Sequence, residues 1–178
     1  MEKKALKQLI LAAIFLAIGA VLPFLTGQIK EIGDSLLPMH LAVMLCGVLC
    51  GWQYGAAVGF VLPFFRSLCF GMPPLYPNAV WMALELATYG FVIGFVYRLP
   101  HKHRRVHLLL SLLCSMLAGR VVWGIAKAIL LGVAGKSFGL AAFWVGGFLD
   151  AVPGIVLQLV LVPIVVGLVE HLQTKDKI

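Results

Sequence analysis

Five ionisable side chains interrupt stretches of this sequence that are otherwise almost continuously apolar. They are Arg66, Glu85, Arg120, Lys127 and Asp150. A charge inside a lipid bilayer is costly, so such residues usually pair with one another or face a cavity that binds a ligand. Counting about 1.5 Å per helical residue places all five in the outer half of their predicted spans. This placement predicts a pocket open to the outside and argues against a channel or a proton path across the membrane.

Two predicted helices each carry polar and aromatic side chains on one face. These are Asn78, Trp81 and Glu85 in the earlier helix, and Arg120, Trp123 and Lys127 in the later one. Residues three, four or seven positions apart in a helix lie on the same side, so each set forms a stripe. Two such stripes at matching depth are typical of a concave ligand site. Together with Arg66, which lies near the same outer end, they are our candidate ligand-binding residues.

The charges within the spans leave the role of Glu85 open. It can pair with Arg120 or Lys127 and hold the bundle together, or it can accept hydrogen bonds from hydroxyl or amide groups of a ligand. Arg120 and Asp150 lie at matching depths, so we expect a structural ion pair between them. Three cations against two anions leave one positive charge over, which favours a ligand with a carboxylate.

The composition is that of an all-α integral membrane protein. Of 178 residues, 62% are hydrophobic and 12% are charged, whereas ordinary soluble domains have about 25% charged residues. Several apolar stretches are long enough to cross a hydrocarbon layer, which takes about 20 helical residues. The sequence predicts a single membrane domain over residues 1–178, with the loop GWQYG between the second and third spans. Its six predicted spans cover residues 6–25, 38–51, 55–69, 76–97, 106–133 and 140–172.

The sequence has seven more positive than negative charges. The basic residues lie mainly outside the predicted spans, where such charges set the orientation of a membrane protein, so they do not indicate nucleic-acid binding. Most basic residues lie before the first span, in one loop and in the tail: Lys3, Lys4, Lys7, Arg98, Lys102, Arg104, Arg105, Lys175 and Lys177. The loop after the first span holds Lys30 against Glu31 and Asp34. We therefore predict that both termini lie inside, and we expect a lipid bilayer but no nucleic acid as partner.

Enzyme motifs are missing from the sequence. It contains no H-E-x-x-H, no G-x-S-x-G and no phosphate-binding G-x-x-x-x-G-K-[ST]. Its histidines lie at or beyond the ends of the predicted spans, with His40 at the outer end of the second. We predict no catalytic residue, no metal site and no cofactor. An intramembrane enzyme is one alternative function, and the missing motifs count against it. A structural or assembly protein of the membrane is the second alternative, and it predicts that the intramembrane charges pair fully and leave no cavity.

The first span carries alanines on one side. Ala13, Ala17 and Ala20 follow one another at helical spacing, and Ala13 and Ala17 form a small-x-x-x-small pair. Such a stripe lets another helix approach closely. It indicates either packing inside the chain or docking onto a partner membrane protein.

Several longer motifs follow in order: LPMHLAVMLCGVLCGWQYGAAVGFVLPFF, GMPPLYP, ELATYGFVIGFVYR, AGRVVWG and DAVPGIVLQLVLVP. With the alanine pair and the six-span plan, this pattern resembles the substrate-binding S component of energy-coupling factor (ECF) transporters, the vitamin uptake systems of prokaryotes. The resemblance covers nearly the whole chain.

The resemblance implies a multi-pass protein of the prokaryotic plasma membrane that binds one vitamin or related micronutrient from outside. It implies docking through Ala13 and Ala17 onto a transmembrane coupling subunit, which is powered by two ATPase subunits. The pattern is most like members assigned to pantothenate or left unassigned. Riboflavin, pyridoxine and queuosine-type precursors stay open as alternatives, because Trp81 and Trp123 can stack on a ring.

Overall fold

The secondary structure of the described residues is entirely helical, as predicted. The structure is a computed structural model that describes residues 2–26, 36–100 and 103–175. Its α-helices are α1 (Glu2–Val21), α2 (Pro38–Cys50), α3 (Trp52–Phe70), α4 (Val80–Tyr97), α5 (Arg104–Val133), α6 (Leu140–Trp144) and α7 (Val152–Lys175). A 3-10 helix, Leu22–Thr26, follows α1, and the π-helical turn Val145–Leu149 follows α6. The segment Leu75–Ala79 before α4 is kinked, with an extended backbone at Tyr76 (φ −127°, ψ 136°). The predicted polar loop with Lys30, Glu31 and Asp34, together with Lys102 and Lys177, lies outside the described residues.

Four segments of the described chain are long and apolar enough to cross a membrane. They are Lys3–Leu25, Leu75–Tyr97, Arg104–Val133 and Leu140–Leu172. The apolar helix α2 has 13 residues and α3 has 19. These segments are those of a multi-pass membrane protein, while the count of six spans stays a prediction.

One predicted boundary is wrong. The turn between the second and third spans is not GWQYG, because α3 already begins at Trp52 and Gly51 alone reverses the chain with φ 109°. Glycine adopts such a positive φ without steric cost. The last predicted span matches the candidate segment Leu140–Leu172, which continues from α6 through the π-helical turn Val145–Leu149 and two further residues into α7.

Glycines bring α2, α3 and α4 into backbone contact. A Cβ on Gly55 of α3 would lie 2.6 Å from Gly47 Cα of α2 and 2.7 Å from the Gly90 carbonyl oxygen of α4. Small residues allow this approach, which is the usual way in which membrane helices pack tightly. The packing fixes α4 against α2, and α5 packs along α4 as well. Helices α2, α4 and α5 carry the side chains of the candidate site.

Several chain ends meet at one end of the bundle. Lys4 and Gln8 near the start of α1 line a cavity together with Arg98, which follows α4. Arg98 Nη2 donates to the Cys50 carbonyl oxygen at the end of α2, at 3.1 Å. Arg104 at the start of α5 forms an ion pair with Glu170 near the end of α7. The basic residues of α1 and of the connection between α4 and α5 therefore lie at the same end.

Candidate ligand-binding site

A buried ionic group joins α2, α4 and α5. Arg120 Nη1 donates to Glu85 Oε1 at 3.0 Å, and His40 Nε2 lies 3.2 Å from the same oxygen. The side chains of Arg120 and Glu85 are 4% and 3% exposed. The contact of His40 is close in distance but lacks the alignment of a hydrogen bond. Glu85 therefore pairs with Arg120 in the structure, while its contact with a ligand stays a prediction.

Tyr89, one helical turn after Glu85, holds the group in place. Its ring meets the His40 ring edge to face, with 4.9 Å between the centroids and 89° between the planes. On the α5 side the Tyr89 ring packs over Gly119, where a Cβ would collide with it. Gly119 thus lets the aromatic ring lie beside the backbone that carries Arg120.

The guanidinium of Arg120 is only partly satisfied. Its Nε and Nη2 atoms are buried, and neither has a hydrogen-bond partner in the part of the chain that the structure describes. A buried donor left unpaired costs about 1–3 kcal/mol, and more when it is charged. Nε and Nη2 form the edge of a guanidinium that holds a carboxylate through two parallel hydrogen bonds. The edge that Glu85 leaves open therefore suits a planar anion.

An aromatic group with a second cation adjoins Arg120. Lys127 Nζ lies 5.4 Å from the ring centroid of Trp81, 4.5 Å from that of Trp123 and 5.2 Å from that of Phe138. The Arg120 Cζ atom lies 5.9 Å from the Trp123 centroid. Both tryptophans are buried. The predicted stripes of the two helices do face each other, and cation–π contacts link them.

The remaining predicted ligand residues, Asn78 and Arg66, have no described contact with this group. Asn78 is half-buried in the kinked segment before α4. Arg66 is buried, donates to the Ala20 carbonyl oxygen, and lies 5.5 Å from the ring centroids of both Phe24 and Phe70. These contacts tie α3 to the end of α1, and no described contact joins Arg66 to Glu85 or Arg120.

The expected ion pair between Arg120 and Asp150 is corrected by the structure. Arg120 pairs with Glu85 instead, and the Asp150 side chain is exposed. Depth along a helix does not fix the direction of a side chain, and the π-helical turn Val145–Leu149 just before Asp150 shifts the following residues around the helix axis.

The alanines of α1 do not share one environment. Ala13 and Ala17 are exposed, whereas Ala20 is 3% exposed and packs in the core. Ala20 is therefore not available to a partner, which corrects the predicted set. Ala13 lines a shallow apolar groove of about 220 Å³ between α1 and α3, opposite Ala57.

Two polar residues of the interior were not predicted. His40 is the third ionisable side chain of the buried group, beside Glu85 and Arg120. Gln158 Nε2 donates to the Leu37 carbonyl oxygen at 3.3 Å. Gln158 is 1% exposed, and its Oε1 has no described partner. The presence of each residue inside an apolar helix was the available signal, because buried polar groups need partners.

A comparison with known protein families identifies the family of this chain. The model of the ECF transporter substrate-specific component family matches residues 7–166. The chain belongs to this family. ECF substrate-specific components are substrate-binding subunits of transporters and not enzymes. No curated protein and no solved structure matches the chain. In the described residues, no group of three or more His, Cys, Asp or Glu side chains is placed to hold a metal ion.

Proposed function

We propose that this ECF substrate-specific component captures, from outside, a vitamin-like micronutrient that carries a carboxylate. The observation behind the proposal is the open Nε–Nη2 edge of Arg120, buried beside Glu85. A fully paired structural protein would have no reason to leave two charged donors unpaired at a cost of about 1–3 kcal/mol or more. A ligand carboxylate on this edge supplies both missing acceptors.

The surrounding groups suit a ligand with hydroxyl and amide functions. Lys127 adds a second positive charge near the aromatic group, while Asn78 and Glu85 offer amide and carboxylate oxygens that accept hydrogen bonds. Pantothenate combines a carboxylate with hydroxyl and amide groups, so it is our first candidate. We assign its carboxylate to Arg120 and its polar chain to the side of Asn78.

The two tryptophans favour a second class of ligand. Trp81 and Trp123 both contact the Lys127 amine through their ring faces, and such faces also stack on planar rings. Riboflavin, pyridoxine and queuosine-type precursors are the ring-bearing candidates. These candidates lack a carboxylate, so they would leave the Arg120 edge unused.

For this chain we propose six spans in a prokaryotic plasma membrane with both termini in the cytoplasm. The basic residues that gather at one end of the bundle support this orientation. Uptake is then driven by a transmembrane coupling subunit and two ATPase subunits, since the sequence has no phosphate loop of its own. The exposed Ala13 and Ala17 of α1 are the proposed docking contact.

The test is a tryptophan-fluorescence titration of the purified chain alone. The panel contains pantothenate, its alcohol analogue in which CH₂OH replaces the carboxylate, riboflavin and pyridoxine. We expect saturable quenching by pantothenate and a much weaker response to the alcohol. Equal responses to acid and alcohol would contradict the carboxylate anchor. No response to any compound would contradict pantothenate as the ligand and leave a vitamin outside the panel or a structural role.

A further inference from the structure

A second cavity lies at the basic end of the bundle, away from Glu85 and Arg120. Its volume is about 640 Å³, and it opens between α5 and α7. The lining combines a charged rim with an apolar floor and includes Tyr97, Arg105, Leu109, Ile164, Gly167 and Glu170. The proposed substrate site uses none of these residues.

The charged rim is held by an ion pair that leaves one cation over. Arg104 pairs with Glu170, Tyr97 Oη donates to Glu170 Oε1 at 2.9 Å, and Arg104 Nε donates to Tyr97 Oη at 3.0 Å. Arg104 and Glu170 balance each other in charge, so the exposed Arg105 adds a net positive charge to the rim. The first turn of α5 also lies here, with N–H groups that favour an anion.

The floor of the cavity is apolar and runs along α7. Leu109 and Ile164 are 42% and 58% exposed and face the opening from α5 and α7. Gly167 leaves space between them, because a Cβ added there would meet no atom within 4 Å. A groove with a cationic rim and an apolar floor, at the end of a membrane-spanning bundle, is complementary to an amphiphile with an anionic head and an apolar tail.

We propose that this cavity binds an anionic phospholipid. Its phosphate contacts Arg105 and the start of α5, and one acyl chain lies over Gly167 between Leu109 and Ile164. Basic pockets between membrane helices are known to recognise anionic headgroups. A zwitterionic lipid fits the floor equally well but brings its own cation to the rim, so charge complementarity selects the anionic lipid.

Thermal unfolding of the delipidated chain in a neutral detergent tests the proposal. Phosphatidylglycerol and phosphatidylcholine with identical acyl chains are titrated separately, and soluble glycerol phosphate provides the headgroup without the chain. We expect phosphatidylglycerol to raise Tm more than phosphatidylcholine and glycerol phosphate to have no effect. A full effect of glycerol phosphate would identify a free-phosphate site and overturn the proposal.

Three variants localise the effect. Arg105→Gln should weaken the apparent affinity for phosphatidylglycerol about fivefold, as expected for the loss of one interfacial cation. Gly167→Leu should reduce the stabilisation by both lipids, because the leucine fills the groove. Lys7→Gln makes the same change of charge on α1, and it should alter neither the affinity for phosphatidylglycerol nor the stabilisation by the two lipids. An equal loss in Lys7→Gln, or unchanged binding of phosphatidylglycerol by Arg105→Gln, would contradict the proposal.

Discussion

Arg120 and Glu85 meet through a single hydrogen bond, from Nη1 to Oε1 at 3.0 Å, between two helices that pack side by side. One carboxylate oxygen also receives the contact of His40. The pair is therefore buried, and the Nε and Nη2 atoms of Arg120 have no described hydrogen-bond partner. Breaking a buried ion pair by removing one partner costs about 3–5 kcal/mol, because the other charge is left uncompensated. This relationship makes stability and ligand binding separable by choice of substitution.

Arg120→Lys should weaken ligand binding while the fold is retained. Lysine keeps a positive charge beside Glu85 but has no planar edge for two parallel hydrogen bonds. We expect a loss of affinity of about 10- to 100-fold for a carboxylate ligand, the equivalent of one charge-assisted hydrogen bond. The measurement is the fluorescence titration, with Tm recorded on the same samples.

A conservative exchange elsewhere controls for the change of residue type. Arg98→Lys lies at the opposite end and can still donate to the Cys50 carbonyl oxygen, so its affinity should match that of the unmodified chain. The preference of Arg120→Lys for the carboxylate over its alcohol analogue should be smaller than that of the unmodified chain. Undiminished preference for the acid in this variant would place the anchor on another residue.

Glu85→Gln distinguishes pairing from ligand contact. Removal of the carboxylate leaves Arg120 buried with an uncompensated charge, so the free energy of unfolding should fall by about 3–5 kcal/mol. An anionic ligand then supplies the missing negative charge, and its addition should raise Tm more than in the unmodified chain. Glu170→Gln, which removes a carboxylate from the more exposed pair with Arg104, should cost about 1 kcal/mol or less. Lost binding at unchanged Tm would show instead that Glu85 contacts the ligand.

The sequence predicted that Glu85 and Arg120 lie at a similar depth, because the rise per residue fixes depth along a helix. It did not predict that they pair. Depth alone made Asp150 as suitable as Glu85, and the count of residues did not include the π-helical turn that ends at Leu149, just before Asp150. Depth also says nothing of the direction in which a side chain points.

Contacts between distant segments were beyond the reach of local patterns. The position of His40 beside Glu85 depends on how α2 packs against α4, which is set by backbone contacts at Gly47 and Gly90. Arg66 carries the same charge as Arg120 at a membrane depth, but it is enclosed by Phe24 and Phe70. The sequence predicts which helices are apolar, while tertiary packing decides which polar side chains meet.

Arg66→Met tests this difference between the two arginines. Methionine keeps much of the apolar stem between the rings but cannot donate to the Ala20 carbonyl oxygen, which is then left without this buried donor. We expect the free energy of unfolding to fall by about 1–3 kcal/mol. Ligand affinity at a temperature well below Tm should be unchanged. A loss of affinity without a loss of stability would return Arg66 to the ligand site.

Ala17→Trp should abolish uptake and leave ligand binding intact, if α1 docks onto the coupling subunit. Ala17 is exposed one helical turn after the exposed Ala13, and an indole there prevents close approach of a partner helix. Substrate uptake by cells that contain the whole transporter and titration of the purified chain measure the two effects. Val160→Trp, at a residue of α7 that is 53% exposed, should preserve both, whereas Ala20→Trp should fail to fold because Ala20 lies in the core. Normal uptake with Ala17→Trp would exclude this face of α1 as the docking surface.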